Sequence, residues 1–221
     1  MMKVENKNNL SFSLKGLYLF LYLCLILWML QGYLFFKYEE EELFRAINSN
    51  HSPVLDSFFY WISFVGSFTV IGPVLLGLCL LKYKSWKYFS LFAFTQLLPL
   101  LINQILKLSF AHLRPSVVFG QESWFHYVEG LKLHSGLSFP SGHTAGAFSF
   151  FTLLSILLIE RNKYWAISFF ILAVLVGYSR IYLGQHFFVD VFAGSIVGTT
   201  LTLIVFILWK NFFNKRQQSI L

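Results

Sequence analysis

Apolar residues fall in long runs along the chain, and short polar segments separate the runs. Six runs cover residues 17–36, 57–81, 88–106, 144–159, 164–182 and 188–209. The first holds 20 residues, which at about 1.5 Å of rise per residue matches a hydrocarbon core of about 30 Å. It exceeds a typical signal-peptide core and lacks a small-residue cleavage site, so we expect an uncleaved span. The pattern predicts an all-α polytopic membrane bundle with six transmembrane helices.

Two polar segments and one run have local features. Residues 39–42 are all glutamate, which is typical of an interfacial loop or a short amphipathic helix. The second run contains Gly66, Gly72 and Pro73, which predict close helix packing and a kink. The connector 109–140 holds many of the polar residues of the chain. No internal repeat or linker interrupts the pattern, so residues 1–221 are predicted to be one domain.

Lysine and arginine residues predict the orientation of the bundle. They are concentrated in residues 1–15, 82–87, 160–163 and 210–221, and six spans place all four segments on one side. The positive-inside rule makes that side cytoplasmic, so both termini are predicted there. The connector 109–140 then faces the periplasm or exterior. We expect an integral protein of a bacterial cytoplasmic (inner) membrane.

Composition excludes several classes of protein. Hydrophobic residues make up 57% of the chain and charged residues 12%, which is atypical of a soluble domain. The net charge of +7 does not predict nucleic-acid binding, because the basic residues lie mainly in short connectors. Cys24 and Cys79 both fall within apolar runs and form neither a metal motif nor a disulfide framework.

The segment 179–190, SRIYLGQHFFVD, places three ionisable side chains in an apolar region. His186 and Asp190 are four residues apart, so on a helix the carboxylate can accept a hydrogen bond from one ring nitrogen. The other nitrogen is then free to attack an electrophile. Arg180 precedes a short turn at Leu183 and Gly184, where its planar guanidinium can hold an oxyanion. This combination points to phosphoryl chemistry.

Two further clusters lie where predicted spans begin or end. Lys107 and Arg114 add two cations to Arg180, enough for a phosphate carrying about two negative charges. Ser141 is predicted to cap a helix whose first amides, near Gly142, can cradle phosphate oxygens. His143 follows directly and can act as general acid for the leaving oxygen.

Each of these features also has a structural explanation. Cations at the ends of spans often only extend to the interface, and Pro-Ser-Gly is a common junction between loop and helix. The small residues Gly194 and Gly198 fit simple helix packing as well as packing below a site. The other histidines are predicted to be interfacial hydrogen bonders, namely His51, His112, His126 and His134.

A metal centre is the main alternative to an anion site. His143, His186 and Asp190 form a set of two histidines and one carboxylate, which is typical of metal binding. Three cations beside them would repel a metal ion. The charge count therefore favours an anion site with no metal and no cofactor.

In order along the chain, the motifs are K-x6-RP at Lys107 and Arg114-Pro115, PSGH at residues 140–143, and SR-x5-H-x3-D at residues 179–190. With them the chain resembles the type-2 phosphatidic-acid phosphatases, a family related in fold to vanadium haloperoxidases. Every fixed position agrees. The resemblance covers residues 107–190 and the six-span architecture.

The resemblance implies a role for each matched residue. His186 is expected to be a nucleophile that forms a phosphohistidine, Asp190 to orient it, and His143 to protonate the leaving group. No metal is implied. The phosphoryl oxygens are expected to be held by Lys107, Arg114, Ser141, the Gly142 amide and Arg180.

The predicted partners are the lipid bilayer and a lipid substrate, and nucleic acid is excluded. An outward-facing membrane site suits a polyprenyl pyrophosphate such as undecaprenyl pyrophosphate, phosphatidylglycerophosphate or phosphatidate. The connector 117–137 is expected to recognise the headgroup of the lipid substrate. A lipid A phosphatase and a lipid phosphotransferase are alternatives with the same site. A non-enzymatic lipid carrier and a haloperoxidase are disfavoured, and the sequence predicts no oligomeric state.

Overall fold

The structure is a computed structural model that describes residues 14–158 and 164–218. Within these residues the regular secondary structure is helical throughout and contains no strand, so the all-α prediction is confirmed. A π-helical segment, Leu78–Tyr83, continues the fourth helix. The helices are α1 Leu14–Lys37, α2 Glu40–Asn48, α3 Pro53–Val65, α4 Phe68–Gly77, α5 Trp86–Phe110, α6 Pro115–Val118, α7 Gly142–Leu157, α8 Trp165–Tyr182 and α9 Phe188–Gln218.

Four of the described helices, α1, α5, α8 and α9, are long and apolar enough to cross a membrane. A fifth crossing results if α3 and α4 with its π-helical extension form one span, which is bent by 48°. The described helices therefore mark an integral membrane protein with four to five candidate spans. The predicted run 144–159 corresponds to α7, which has 16 residues and is shorter than these spans. Of the segments used to predict orientation, residues 1–13, 159–163 and 219–221 lie outside the described residues.

Helix α7 lies at the centre of the bundle, where it contacts α1, α4, α5, α8 and α9. Its side chains from Phe148 to Leu157 are all buried. The buried Ser149 is paired on both sides: its Oγ donates to Thr95 O at 2.6 Å and accepts from Thr202 Oγ1 at 2.7 Å. Pairing avoids the cost of leaving a polar group unsatisfied in an apolar core. The helix that begins at the candidate site is thus held by all its neighbours.

Two glycines set the distance between α7 and α9. A Cβ atom added to Gly194 would lie 2.7 Å from Ser141 O, and one added to Gly198 would lie 2.2 Å from Ala145 O. The obstructing atoms belong to the backbone and cannot rotate away. The small-residue face predicted for the last span is therefore where α9 meets α7, directly below the site.

The acidic segment forms α2, a short helix with a capping box between Glu39 and Glu42. Its Phe44 is fully buried and contacts the rings of Phe187 and of three connector residues, Phe119, Trp124 and Phe125. Burying an aromatic side chain is a large favourable contribution. Helix α2 and the connector therefore pack together beside the turn that carries His186.

The predicted kink lies at Gly66 and Ser67, between α3 and α4, and Pro73 lies within α4. A Cβ atom on Gly66 would lie 2.9 Å from His143 O. The break thus allows the start of α7 to approach the second span closely.

Candidate active site

The predicted site residues come from six parts of the fold. Lys107 is in the last turn of α5, and Arg114 and Ser141 are the N-caps of α6 and α7. Gly142 and His143 begin α7, Arg180 is near the end of α8, His186 lies in the following turn, and Asp190 is in α9. One backbone bond ties two of these parts together, because Ser141 N donates to Asp190 O at 3.0 Å.

His186 and Asp190 form the predicted pair. The His186 Nδ1 atom lies 3.2 Å from Asp190 Oδ2, which also accepts a hydrogen bond from Phe187 N at 2.8 Å. The side chains are 3% and 0% exposed, so solvent does not compete for this contact. An ionised carboxylate favours the tautomer with the proton on Nδ1, which leaves the Nε2 lone pair free.

Ser138 is a site residue that sequence reasoning missed. Its hydroxyl donates to Asp190 Oδ2 and lies 3.3 Å from His186 Nδ1. Ser138 is fully buried, two residues before the PSGH motif. It fixes both members of the pair, and no local pattern signals it because the partners are 48 and 52 residues away in sequence.

Arg114 lies on the free side of the imidazole. Its Nη1 atom is 3.4 Å from His186 Nε2 and donates to Gln185 O at 2.8 Å, while its Nε donates to Gly136 O at 3.0 Å. The guanidinium is therefore held by backbone carbonyls in front of the nitrogen that is expected to attack. A phosphoryl group approaching that nitrogen would meet Arg114 first.

Lys107 and Arg180 are held in the same manner, by neutral oxygens. Lys107 Nζ donates to Leu137 O at 2.9 Å and to Ser138 O at 2.7 Å, and Arg180 Nη1 donates to Ser63 Oγ. The Arg180 Nε atom is buried and has no hydrogen-bond partner within residues 14–158 and 164–218. Among the described residues, no carboxylate oxygen lies within 4.0 Å of any of the three cations. Their positive charge is thus available to an anion.

The environment of His186 keeps its imidazole neutral. Burial lowers the pKa of His186, and the hydrogen bond and charge of Asp190 oppose this, while Arg114 and Arg180 lower the pKa further. The net shift is downward from the ordinary value. A neutral ring at physiological pH is the form that can act as a nucleophile.

A second histidine faces the other oxygen of Asp190. His112 Nδ1 lies 3.5 Å from Asp190 Oδ1, and His112 Nε2 lies 3.7 Å from Glu40 Oε2. Asp190 Oδ1 is buried and has no hydrogen bond within the described part of the chain. The prediction that His112 is only an interfacial hydrogen bonder missed this contact. The sequence feature that could have indicated this contact is the position of His112 between Lys107 and Arg114, inside the K-x6-RP motif.

His143 lies where a polar and an apolar cavity meet. The polar cavity, of about 300 Å³, is also lined by Arg180, Gln185, Lys132 and His134. The apolar cavity, of about 220 Å³, runs between α4, α5 and α7 and is lined by Phe68, Ile71, Pro99, Leu100, Gly142 and Gly146, among others. His143 is thus next to both a charged and an apolar surface.

The metal alternative requires His143, His186 and Asp190 to share one ion. Across residues 14–158 and 164–218, no group of three or more His, Cys, Asp or Glu side chains is placed to hold a metal ion. The cations around His186 instead suit an anion.

Comparison with known proteins gives a family match. The PAP2 superfamily matches residues 86–214 of the chain, which include all three motifs. Undecaprenyl-diphosphatase BcrC of Bacillus subtilis is 30% identical over 171 residues, covering 75% of this chain and 81% of that protein. A lipid A 4'-phosphatase of Porphyromonas gingivalis is 31% identical over 165 residues, covering 72% of this chain and 68% of that protein.

A solved structure extends the likeness to most of the fold. The crystal structure of the first transmembrane PAP2-type phosphatidylglycerolphosphate phosphatase from Bacillus subtilis superimposes with a TM-score of 0.63 at 26% identity. The match covers 92% of this chain and 98% of that one. The resemblance predicted from the motifs is confirmed.

Proposed function

The chain belongs to the PAP2 superfamily, and we propose that it is a metal-independent lipid phosphatase acting through a phosphohistidine on His186. One observation carries the proposal: a buried histidine is paired with Asp190 and lies 3.4 Å from Arg114, which with Lys107 and Arg180 has no carboxylate oxygen of the described residues within 4.0 Å. An anion with a transferable phosphoryl group fits both the charge and the nucleophile.

In the first half of the reaction, His186 Nε2 attacks phosphorus and the bond to the leaving oxygen breaks. Asp190, held by Ser138, keeps the proton on Nδ1 and stabilises the positive charge that develops on the ring. Lys107, Arg114 and Arg180, with the Ser141 side chain and the free amides at the start of α7, stabilise the phosphoryl oxygens. His143 protonates the leaving oxygen.

In the second half, water attacks the phosphohistidine. His143, now neutral, takes a proton from that water, the N–P bond breaks, and inorganic phosphate leaves with His186 restored. The same intermediate can pass its phosphoryl group to an acceptor lipid, which is the phosphotransferase alternative.

The apolar cavity beside His143 supports a lipid as the leaving group. It meets a second apolar cavity of about 190 Å³ at Phe68 and Gln96, so apolar surface extends from His143 along α4 and α5. A hydrocarbon chain attached to the leaving oxygen can pack directly against this apolar surface. We therefore propose substrates of the polyprenyl pyrophosphate, phosphatidylglycerophosphate or phosphatidate class, with lipid A as a further candidate.

We propose six membrane crossings, counting the bent pair α3 and α4 as one and α7 as another, with both termini in the cytoplasm. The site then faces the periplasm or exterior of a bacterial cytoplasmic membrane. The support is that α7 starts at the site end and is enclosed by longer apolar helices.

The test is phosphate release by the purified protein in detergent with EDTA, on undecaprenyl pyrophosphate, phosphatidylglycerophosphate, phosphatidate and lipid A. We expect turnover on at least one lipid and an acid-labile phosphoenzyme after rapid quenching. His186→Gln should abolish both signals and His51→Gln neither. Full activity in His186→Gln would contradict the mechanism. If none of the four lipids is turned over until an acceptor lipid is added, the result would favour the phosphotransferase.

A further inference from the structure

Lys132 and His134 of the connector border two cavities at once. One is the polar cavity of about 300 Å³ shared with His143 and Arg180, and the other is a cavity of about 460 Å³ shared with Lys107 and Arg114. Both side chains are exposed. They therefore lie at the mouth of the site, between the buried cations and the outside.

The backbone of this segment is fixed to the turn that carries the nucleophile. Gln185, which is 1% exposed and precedes His186, donates from Nε2 to Lys132 O at 3.2 Å. Leu131 packs against the buried cluster of Phe59, Tyr182 and Leu183. The position of Lys132 and His134 relative to His186 is thus set by contacts on both sides.

The charge at this mouth exceeds what one phosphate requires. Three cations, the buried Arg114 and Arg180 and the half-buried Lys107, already match a phosphomonoester, which carries about two negative charges near neutral pH, whereas a diphosphate ester carries about three. Lys132 is a fourth cation. Partial burial lowers the pKa of His134, and Arg114, Arg180, Lys132 and Lys107 lower it further, which places the ring within the field of all four. Neither cavity is lined by an acidic residue among those described.

The direction of the reaction places the extra charge on the leaving group. His186 attacks opposite the leaving oxygen, and His143 protonates that oxygen, so the leaving group lies on the His143 side. The cavity on that side contains Lys132 and His134. The apolar cavity also begins at His143. A phosphate of the leaving group can therefore bind in the cavity with Lys132 and His134, while its hydrocarbon chain packs in the apolar cavity.

We propose that Lys132 and His134 form a subsite for the phosphate of the leaving group, so that the preferred substrate is a lipid diphosphate. This inference rests on the proposed phosphatase function. His186 Nε2 bonds to the terminal phosphorus, the bond from that phosphorus to the bridging oxygen breaks, and His143 protonates this oxygen. The products are a lipid monophosphate and, after hydrolysis of the N–P bond, inorganic phosphate. The chain would thus supply lipid monophosphate to whatever reaction consumes it.

The experiment compares two substrates that share one chain, geranylgeranyl diphosphate and geranylgeranyl phosphate. For the wild type we expect one phosphate released per diphosphate molecule before any slower second release. In Lys132→Gln combined with His134→Gln, kcat/KM for the diphosphate should fall by about tenfold or more, while kcat/KM for the monophosphate changes by less than about threefold. Lys132→Arg should retain the preference.

The matched control is Lys82→Gln, which also removes one lysine charge. Lys82 lies in the π-helical segment Leu78–Tyr83 that continues α4, and it lines neither of the two cavities. It should leave both substrates unaffected. Equal losses on the two substrates, or no loss on either, would overturn the subsite. If the double variant does not fold, His134→Gln alone is compared in the same way.

Binding separates failure of the subsite from failure of the proposed function. Calorimetry with inorganic pyrophosphate and inorganic phosphate needs no turnover. Tighter binding of pyrophosphate by the wild type, lost in the double variant, supports the subsite even if neither lipid is cleaved. Absence of turnover on both lipids overturns only the proposed phosphatase, whereas equal binding of the two anions overturns only the subsite.

Discussion

At the scale of single residues, we expect the carboxylate of Asp190 to determine which nitrogen of His186 can attack. Asn at position 190 can donate its amide proton to Nδ1, which would move the ring proton to Nε2 and remove the attacking lone pair. We expect Asp190→Asn to lower kcat by roughly 10²–10⁴-fold with the fold intact. Steady-state kinetics together with the thermal midpoint check this. A variant with wild-type kcat would contradict the role of Asp190.

The pH behaviour of His186 follows from its lowered pKa. Because the folded protein holds a proton on this ring less tightly than a solvent-exposed histidine would, the neutral form persists below the usual pKa of about 6.5. We expect nitrogen-15 NMR of histidine-labelled protein to show a neutral ring protonated on Nδ1 from about pH 8 down to about pH 5. The signal is assigned by its loss in His186→Gln. Protonation with an ordinary midpoint would contradict the prediction.

His112 is a positioning residue in this arrangement, since it faces Asp190 Oδ1 and does not reach the reacting atoms. Leucine at position 112 removes a polar contact to a charged group, and we expect kcat to fall by about 10- to 100-fold while KM changes little. Glutamine keeps a donor and should retain most of the activity. The control is His51→Leu, since His51 stacks on His126 elsewhere. Equal losses in the leucine and glutamine variants would reduce His112 to a packing role.

At the scale of helices, the close approach of α7 and α9 places His143, at the start of α7, beside the helix that carries Asp190. Alanine at position 198 would place its Cβ atom against the backbone of α7. We expect Gly198→Ala to destabilise the protein by about 1–3 kcal/mol, visible as a lower thermal midpoint in detergent. Gly32→Ala is the matched control, because no atom of the described residues lies within 4 Å of the added atom. Equal midpoints for the two variants would show that the helices can move apart.

The sequence predicted those parts of the site that depend on short spacing. His186 and Asp190 are four residues apart and the capping role of Ser141 is local, so both have short-range signatures, although His186 lies in the turn before α9 and not on the helix face that the spacing predicts. Ser138 and His112 approach Asp190 only because the connector folds back over the end of α9. That path depends on aromatic packing around Phe44, which has no short-range signature. Helix α7, with 16 residues, is shorter than the four helices of membrane-spanning length and is enclosed by its neighbours.

At the scale of the whole molecule, the bundle places a charged site at one end of apolar helices. The side of the membrane that this end faces, cytoplasmic or exterior, determines which lipids can reach the site. In the proposed six-crossing arrangement, α5 separates Lys82 from the connector residue Ser123, and α7 separates Ser123 from Trp165. Six crossings therefore predict that Ser123 faces the exterior and the other two face the cytoplasm.

Single cysteines at these three exposed positions, with a membrane-impermeant maleimide, test the arrangement in intact cells. Ser123→Cys should be labelled directly, whereas Lys82→Cys and Trp165→Cys should react only after permeabilisation. The wild type is the control, since Cys24 and Cys79 are both buried. The reverse pattern would turn the site toward the cytoplasm and direct the search to lipids of the inner leaflet. Labelling of Ser123→Cys and Trp165→Cys from the same side would show that α7 does not cross, leaving it as a buried helix that serves only to carry His143.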